Sequence, residues 1–453
     1  MPEGLVKILC AGDLHLGRYP SRVDGNPSNL SVAHIWARTV ECAIDEAVDL
    51  VVLTGDVVDR ENRFFEAIGP LEQGLRRLGQ AGIPTFAVSG NHDFDVLPRV
   101  ADAVDSGMFY LLGRGGSWES RVFERDGKPI LRLVGWSFPR QHYPQSPLEG
   151  FAGLASVGTP TIGILHADLD QRASRYAPVM SSELGAYGFS AWLLGHIHRP
   201  TETRTSGGSL VLYPGSPQPL DPGEPGVHGP WIVEVSPDRP ARAYQVALAS
   251  VRYAGVEVDL GPMQGVDDFE KLMMDAIRGE LHGWIREARA SAGSGYLPER
   301  AMIRLKLVGS TPYRAEIERL CARVVEDFEL PVDDIMARVE KIEIHTRPAL
   351  DLREIARGND PPALLARLLV ELEAGEVSAQ FQPLFAKLRH EISQVHRANA
   401  FGPLLSEQIA SAEVDDAAAH RLVQVEGVRL LEELLSQKYG ADAHPSVGKG
   451  GRK

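Results

Sequence analysis

Ala87-Val88-Ser89-Gly90-Asn91-His92-Asp93 is a short apolar run that ends in a glycine and then three side chains able to bind metal or move protons. It reads as a buried strand delivering chemistry at its C-terminal end. Gly90 lets the backbone turn tightly, so the Asn91 carboxamide and the His92 imidazole can point into one pocket from adjacent positions. Alone the stretch says little, because Asn-His-Asp after glycine also makes an ordinary turn. Four other stretches have the same form, and together they change the weighing.

Working outward, residues 50–53 are continuously apolar and lead into Gly55-Asp56-Val57-Val58-Asp59. A strand without polar alternation is typically covered on both faces. Residues 6–11 run into Gly12-Asp13-Leu14-His15, where Asp13 and His15, two apart, can face the same side of an extended segment. Between these strands, Ile35, Val40, Ala43, Ile44 and Ala47 mark an amphipathic helix, and a second helical pattern covers about residues 65–80. Downstream, residues 161–165 end in His166, and residues 191–194 end in Gly195-His196-Ile197-His198. Strands alternating with helices, each strand ending in ligand-type residues, predict an α/β domain with its site at the C-terminal strand ends.

The whole chain has 453 residues, too many for one ordinary core. Proline and charge cluster near Pro237 to Pro240, a predicted domain boundary that closes a first domain at residues 1–240. Residues 250–346 then read as a small α/β unit, with a glycine and serine segment at 291–295 in one of its loops. Residues 350–440 are leucine-rich helices that fit either a domain packed on itself or a partner-binding arm. Residues 441–453 are expected to be a disordered tail.

A net charge of −14 argues against a surface that grips nucleic acid everywhere, though not against nucleic acid as substrate. Cations held by the acidic residues, or a basic partner, would change the local field. The three cysteines, Cys10, Cys42 and Cys321, have no CxxC spacing and read as small hydrophobes rather than disulfides or thiolate ligands. There is no apolar run of about 18 residues and no secretory leader pattern, so a cytoplasmic location without membrane contact is expected.

Collected, the strand-end residues are Asp13, His15, Asp56, Asn91, His92, His166, His196 and His198. A single histidine is more often a hydrogen-bonded core or surface group than a ligand, but five ordered segments are hard to reconcile with that reading. Imidazole, carboxylate and carboxamide without thiolate suit Mn²⁺, Fe²⁺ or Zn²⁺. The set is too large for one tetrahedral ion, and a pair sharing one carboxylate accounts for it. Two divalent ions about 3.5–4 Å apart can activate water and stabilise an in-line displacement at phosphorus, so metal-assisted phosphoester hydrolysis follows.

Asp13-x-His15, Gly55-Asp56-x-x-Asp59, Gly90-Asn91-His92-Asp93, His166 and Gly195-His196-x-His198 resemble the calcineurin-like metallophosphoesterase signature over roughly the first 240 residues. Gly-His-Ile-His-Arg-Pro at 195–200, Tyr213-Pro-Gly-Ser-Pro217 and Glu224-x-Gly226-x-His228-Gly229 look like the DNA repair exonucleases of the SbcD and YhaO type. Tyr176-Ala177-Pro178 and Asp360-Pro361 look more like the YhaO branch.

The resemblance implies a four-layer αββα sandwich followed by a small α/β cap and a helical C-terminal region. It implies two Mn²⁺ ions, with Asp13, His15 and His198 on one, Asn91, His166 and His196 on the other, and Asp56 bridging. His15 is there a ligand or a group next to one. His92 would protonate the leaving oxygen or stabilise the transition state, and Asp59 stands where some relatives have a histidine that orients DNA. The implied partners are DNA, an SbcC-like coiled-coil ATPase and a second copy of the chain.

A DNA nuclease is therefore the first expectation. A phosphodiesterase or phosphatase on small nucleotides and a metal-stabilised scaffold for an ATPase are the alternatives. The acidic charge favours the small substrate, while the 200-odd residues after the first domain favour the nuclease. His92 beside a full ligand set speaks against a scaffold.

Overall fold

The computed structural model describes residues 4–23, 28–59, 64–104, 107–151, 158–290, 296–348, 350–375, 377–384, 386–387, 390–391 and 416–439. The glycine and serine segment at 291–295, part of the helical region and the expected tail at 441–453 lie outside these residues. The chain falls into two compact units. One holds the described residues up to Val308 together with Ala315–His345, and the other holds Gly309–Arg314 and the described residues from Thr346 onward.

Two six-stranded sheets form the centre of the first unit. The first runs β12 (Arg239–Gln245), β11 (Trp231–Ser236), β1 (Val6–Ala11), β2 (Leu50–Leu53), β3 (Thr85–Ala87), β4 (Phe109–Leu111). Its strands β1 to β4 are parallel. The second runs β5 (Trp118–Arg125), β6 (Lys128–Trp136), β7 (Thr161–His166), β8 (Ala191–Gly195), β10 (Leu210–Tyr213), β9 (Thr201–Arg204). The sheets share a core in which Ile8, Cys10, Leu50, Val52 and Phe86 meet Leu133, Ile162, Ile164, Leu193 and Leu212. With both faces covered, the central strands have no need of polar alternation, which is why β2 reads as four apolar residues.

On the outer face of the first sheet lie α1 (Val32–Asp45), α2 (Phe64–Gln80) and α3 (Leu97–Ala103). Ser31 starts α1 by accepting the His34 N–H at 3.1 Å. The Trp36 indole N–H donates to the Pro70 carbonyl of α2 at 3.0 Å, so the proline inside that helix helps tie the two together. The outer face of the second sheet carries Trp136, Trp192, Leu194 and Tyr213 and is covered by the short α4 (Ser181–Ala186) and loop residues such as Phe151 and Phe189. Helices, sheet, sheet and this thinner layer make the four-layer sandwich.

The proline-rich stretch near Pro237 to Pro240 is not a connector between domains. It turns a hairpin in which Ser236 pairs with Arg239, and β12 extends the first sheet to Gln245. Only then does the chain enter a third sheet, ordered β13 (Val251–Asp259), β14 (Arg300–Val308), β17 (Ile335–Ile344), β16 (Glu329–Val332). α5 (Asp268–Ala290) packs on it through an apolar stripe, Phe269, Met273, Ile277 and Leu281, and α6 (Arg314–Asp327) leads into β16. Val251, Tyr253 and Met302 pack on Leu30, and the Tyr253 hydroxyl donates to the Ser21 carbonyl at 2.6 Å.

In the second unit, β15 (Ser310–Thr311) pairs with β18 (Arg347–Pro348) ahead of α7 (Leu352–Ile355), α8 (Pro361–Glu373) and α9 (Asp416–Tyr439). Asp360 caps α8 by accepting the Ala363 N–H at 3.1 Å, with Pro361 opening the first turn. Ala366 and Leu369 of α8 pack on Leu431 and Leu435 of α9. Among the described residues, no helix is long and apolar enough to cross a membrane.

Candidate metal centre

The eight sequence-predicted residues all follow C-terminal strand ends. Asp13 and His15 come after β1, Asp56 after β2, and Asn91 and His92 after β3. His166 ends β7, and His196 and His198 follow β8. Four of them turn out of their strands through left-handed backbone: Asp13 and His15 at φ 50°, Asp56 at 48° and His196 at 99°. Such residues cost on the order of 1–3 kcal/mol each and persist where surroundings over-determine them. Here the Asp13 N–H donates to the Gly55 carbonyl at 3.0 Å and the His15 N–H to that of Asp56 at 2.9 Å. A Cβ on Gly90 would collide with Asp56 Oδ1, and one on Gly195 with the Thr54 carbonyl, so glycine is required for the strand ends to approach this closely.

Two donor groups result. In each of them, Asp13, His15 and His198 or Asp56, His166 and His196, the potential ligand atoms lie within 4.8 Å of one another. His15 Nε2 and His198 Nε2 are 3.1 Å apart. His166 Nε2 lies 3.2 Å from Asp56 Oδ2 and 3.0 Å from Asn91 Oδ1, and His196 Nδ1 lies 3.2 Å from the same Asn91 oxygen. The His92 N–H donates to Asp56 Oδ1 at 2.8 Å, and its half-exposed ring stands edge-on to His15, centroids 5.1 Å apart.

The outer nitrogens decide which lone pairs face inward. His166 Nδ1 is 3.0 Å from the Thr54 carbonyl and His198 Nδ1 is 2.7 Å from Glu224 Oε1. Those oxygens only accept, so both Nδ1 atoms carry protons, and each Nε2 is the atom that offers a lone pair once the second proton leaves. Burial pushes His15 down to about 3 and, with the His166 charge, His196 down to about 4, so both are neutral. For His166 burial acts downward too, but Asp56 outweighs it and raises the pKa to about 9. His198 is likewise raised to about 9, burial being overcome by Glu224 and Asp13. Burial opposes ionisation of Asp56, yet His166 holds it below the usual carboxylate range.

This donor set fits a pair of divalent cations. Lone pairs of imidazole, carboxylate and carboxamide converge with few protons between them, and a 3.1 Å separation of two imidazole nitrogens suits ligands about 2.1 Å from one ion. Without cations, protons on His166 and His198 take that role. His15 Nδ1, buried without a hydrogen-bond partner, faces Asp59 Oδ2 at 3.8 Å, and Asp59 also meets Arg18 Nε at 3.5 Å.

Three residues around the centre carried no role in the sequence reading. Glu224 backs His198, and Asp168 Oδ1 lies 3.4 Å from His196 Nε2. Asp93 accepts the Val57 and Gly90 N–H groups, each at 2.7 Å, and burial with the Asp56 charge pushes it up to about 7. Asp93 was visible in the opening motif as the residue after His92. Glu224 was visible only as part of a subfamily pattern, and Asp168 gave no signal beyond following His166.

The donors all lie within residues 6–200, and this stretch matches the family described as calcineurin-like phosphoesterase. The chain carries a calcineurin-like metallophosphoesterase domain, and its relatives include proteins of the Mre11 type at modest identity. It is 27% identical over 209 residues to the uncharacterized metallophosphoesterase YhaO of Bacillus subtilis, covering 46% of this chain and 49% of that one. The DNA double-strand break repair protein Mre11 of Saccharolobus solfataricus is 25% identical over 250 residues, 52% of this chain and 62% of that one. Mre11 of Haloferax volcanii is 27% identical over 281 residues, 58% and 57%. In each case the match spans less than two thirds of the relative's own length.

Proposed function

We propose that the chain is a Mn²⁺-dependent nuclease that hydrolyses DNA phosphodiester bonds, the nuclease subunit of an SbcCD-like repair complex. The observation that carries this reading is the convergence of two donor groups on adjoining strand ends, with the half-exposed His92 ring beside them. Asp13, His15 and His198 would hold one cation and Asn91, His166 and His196 the other, with Asp56 shared between them. When bound, the pair supplies Lewis-acid polarisation of a phosphoryl oxygen and a nucleophile from water at neutral pH. The chain's own part is positional. Asp56 and Asn91 order the donors, and the His92 backbone, tied to Asp56, holds its imidazole where it can give a proton to the leaving oxygen.

The Mre11 names of the relatives support DNA as substrate, and the third sheet and the helical unit have sizes suited to shaping DNA entry and binding a coiled-coil ATPase. Dimerisation through helices of the first domain and a cytoplasmic location complete the reading. Incubation of the full chain with Mn²⁺ and labelled linear DNA, beside bis-p-nitrophenyl phosphate, tests it. DNA cleavage that falls roughly 10²–10⁴-fold in His92→Ala, with cations retained, is the expected result. Turnover of the small ester alone, unchanged when an ATPase partner is supplied, would replace DNA with a small phosphodiester. Equal activity in His92→Ala would overturn the proton-donor role.

A further inference from the structure

The motif Glu224-x-Gly226-x-His228-Gly229 lies outside the donor set, yet its glutamate reaches into it. Glu224 is 6% exposed, and its carboxylate is met by donors from His198, Ser216 and Leu220. Oε1 meets His198 Nδ1 at 2.7 Å, and Oε2 accepts the Ser216 hydroxyl at 2.7 Å and the Leu220 N–H at 2.9 Å. The loop that carries it is fixed in turn. The Ser216 N–H donates to the His198 carbonyl at 3.0 Å, His228 Nδ1 donates to the Ser216 carbonyl at 2.7 Å, and the Ser250 N–H donates to Gln218 Oε1 at 2.9 Å. A buried carboxylate with three bonds on an anchored loop is held in one place before any ligand arrives.

Two of the inward-facing imidazoles, His166 and His198, differ in what stands behind them. His166 leans on a neutral backbone carbonyl and His198 on a carboxylate. A carboxylate behind an imidazole fixes its tautomer and ring orientation and strengthens the opposite nitrogen as a donor. We infer that Glu224 is the positioning residue of the Asp13, His15 and His198 group, keeping His198 Nε2 turned toward His15 and free for a divalent cation. Occupancy of that group, and not of the Asp56, His166 and His196 group, then depends on Glu224. This inference rests on the reading that His198 is a metal ligand.

The test is a Mn²⁺ titration of the full chain, counting bound equivalents and following the electron paramagnetic resonance signal, in wild type, Glu224→Gln, Glu224→Leu and His198→Ala. Melting of each metal-free variant is measured alongside. Wild type takes two equivalents and gives a spin-coupled signal. In Glu224→Gln one equivalent weakens by roughly tenfold and in Glu224→Leu by up to about 100-fold. At two equivalents the variants show the signal of isolated Mn²⁺, and excess Mn²⁺ restores coupling. Glutamine keeps the shape and one acceptor, so that variant remains informative if the leucine one does not fold. If His198→Ala still binds two equivalents as tightly as wild type, the ligand reading fails and the inference with it. If His198→Ala loses one equivalent but Glu224→Gln binds both normally, the positioning role alone is overturned. Equal weakening of both equivalents with a lowered metal-free melting point would make Glu224 a support for the loop and overturn it too.

Discussion

The two central sheets contribute different chemistry. The first supplies Asp13, Asp56 and Asn91 together with the imidazoles of His15 and His92, whereas the second supplies, among the eight candidates, imidazole alone, from His166, His196 and His198. Each donor group takes members from both sheets, so neither sheet holds a complete set by itself. A cation bound there would be a crosslink between two halves of the sandwich as well as a reagent. The core between the sheets is apolar and continuous, which leaves this end as the place where their relative position matters most to function.

The sharpest way to break that comparison is to remove the carboxylate of the first sheet that is proposed to lie between the two donor groups. Asp56→Ala is expected to lose both cations and to bring phosphodiester turnover to background, measured by metal content and by ester hydrolysis. Retention of two cations would show that the second sheet suffices. Next in size is the crosslink itself. Mn²⁺ at about 100 times its dissociation constant should stabilise the chain by about 2.7 kcal/mol for each ion, read as a rise in melting temperature that a chelator reverses.

A smaller effect comes from protons standing in for cations. His166 and His198 are raised from 6.5 to about 9, so their contribution to metal-free stability is complete below pH 6.5 and is lost as pH rises toward 9. The metal-free melting temperature should fall across that window while Mn²⁺ affinity rises, because the same protons must leave before a cation enters. A flat profile would mean that the second sheet's imidazoles are not charged in the absence of metal. The smallest prediction lies far from the site. Ala47, exposed after α1 at φ 47°, should gain about 0.5–1 kcal/mol of stability as Ala47→Gly with metal content unchanged.

Much of this was legible in the sequence because the candidate residues lie at strand ends, most of them just after a glycine, where local order dictates which way a side chain points. The eight candidates lie at neighbouring strand ends, and Leu365, Leu368, Leu369 and Leu372 pack as their spacing suggests, whereas Leu364 on the same run is half exposed. What stayed hidden depends on contacts distant in sequence. Glu224 sits in Asp221-Pro-Gly-Glu-Pro-Gly226, a composition that reads as turn chemistry, and only the folded loop shows it meeting His198. The proline-rich stretch after β11 failed in the opposite way. Pro237 and Asp238 suit a tight hairpin as well as a linker, and the choice is made by Arg239–Gln245 finding an open sheet edge.

The left-handed backbone at Asp13, His15, Asp56 and His196 sets a trade-off between sturdiness and activity. Glycine would relax each of those turns, so a selection for heat resistance that ignored catalysis would drift toward replacing the candidate ligands themselves. A robust but inert scaffold is thus a few substitutions from the working enzyme. An engineer who wants both must take stability from elsewhere in the molecule.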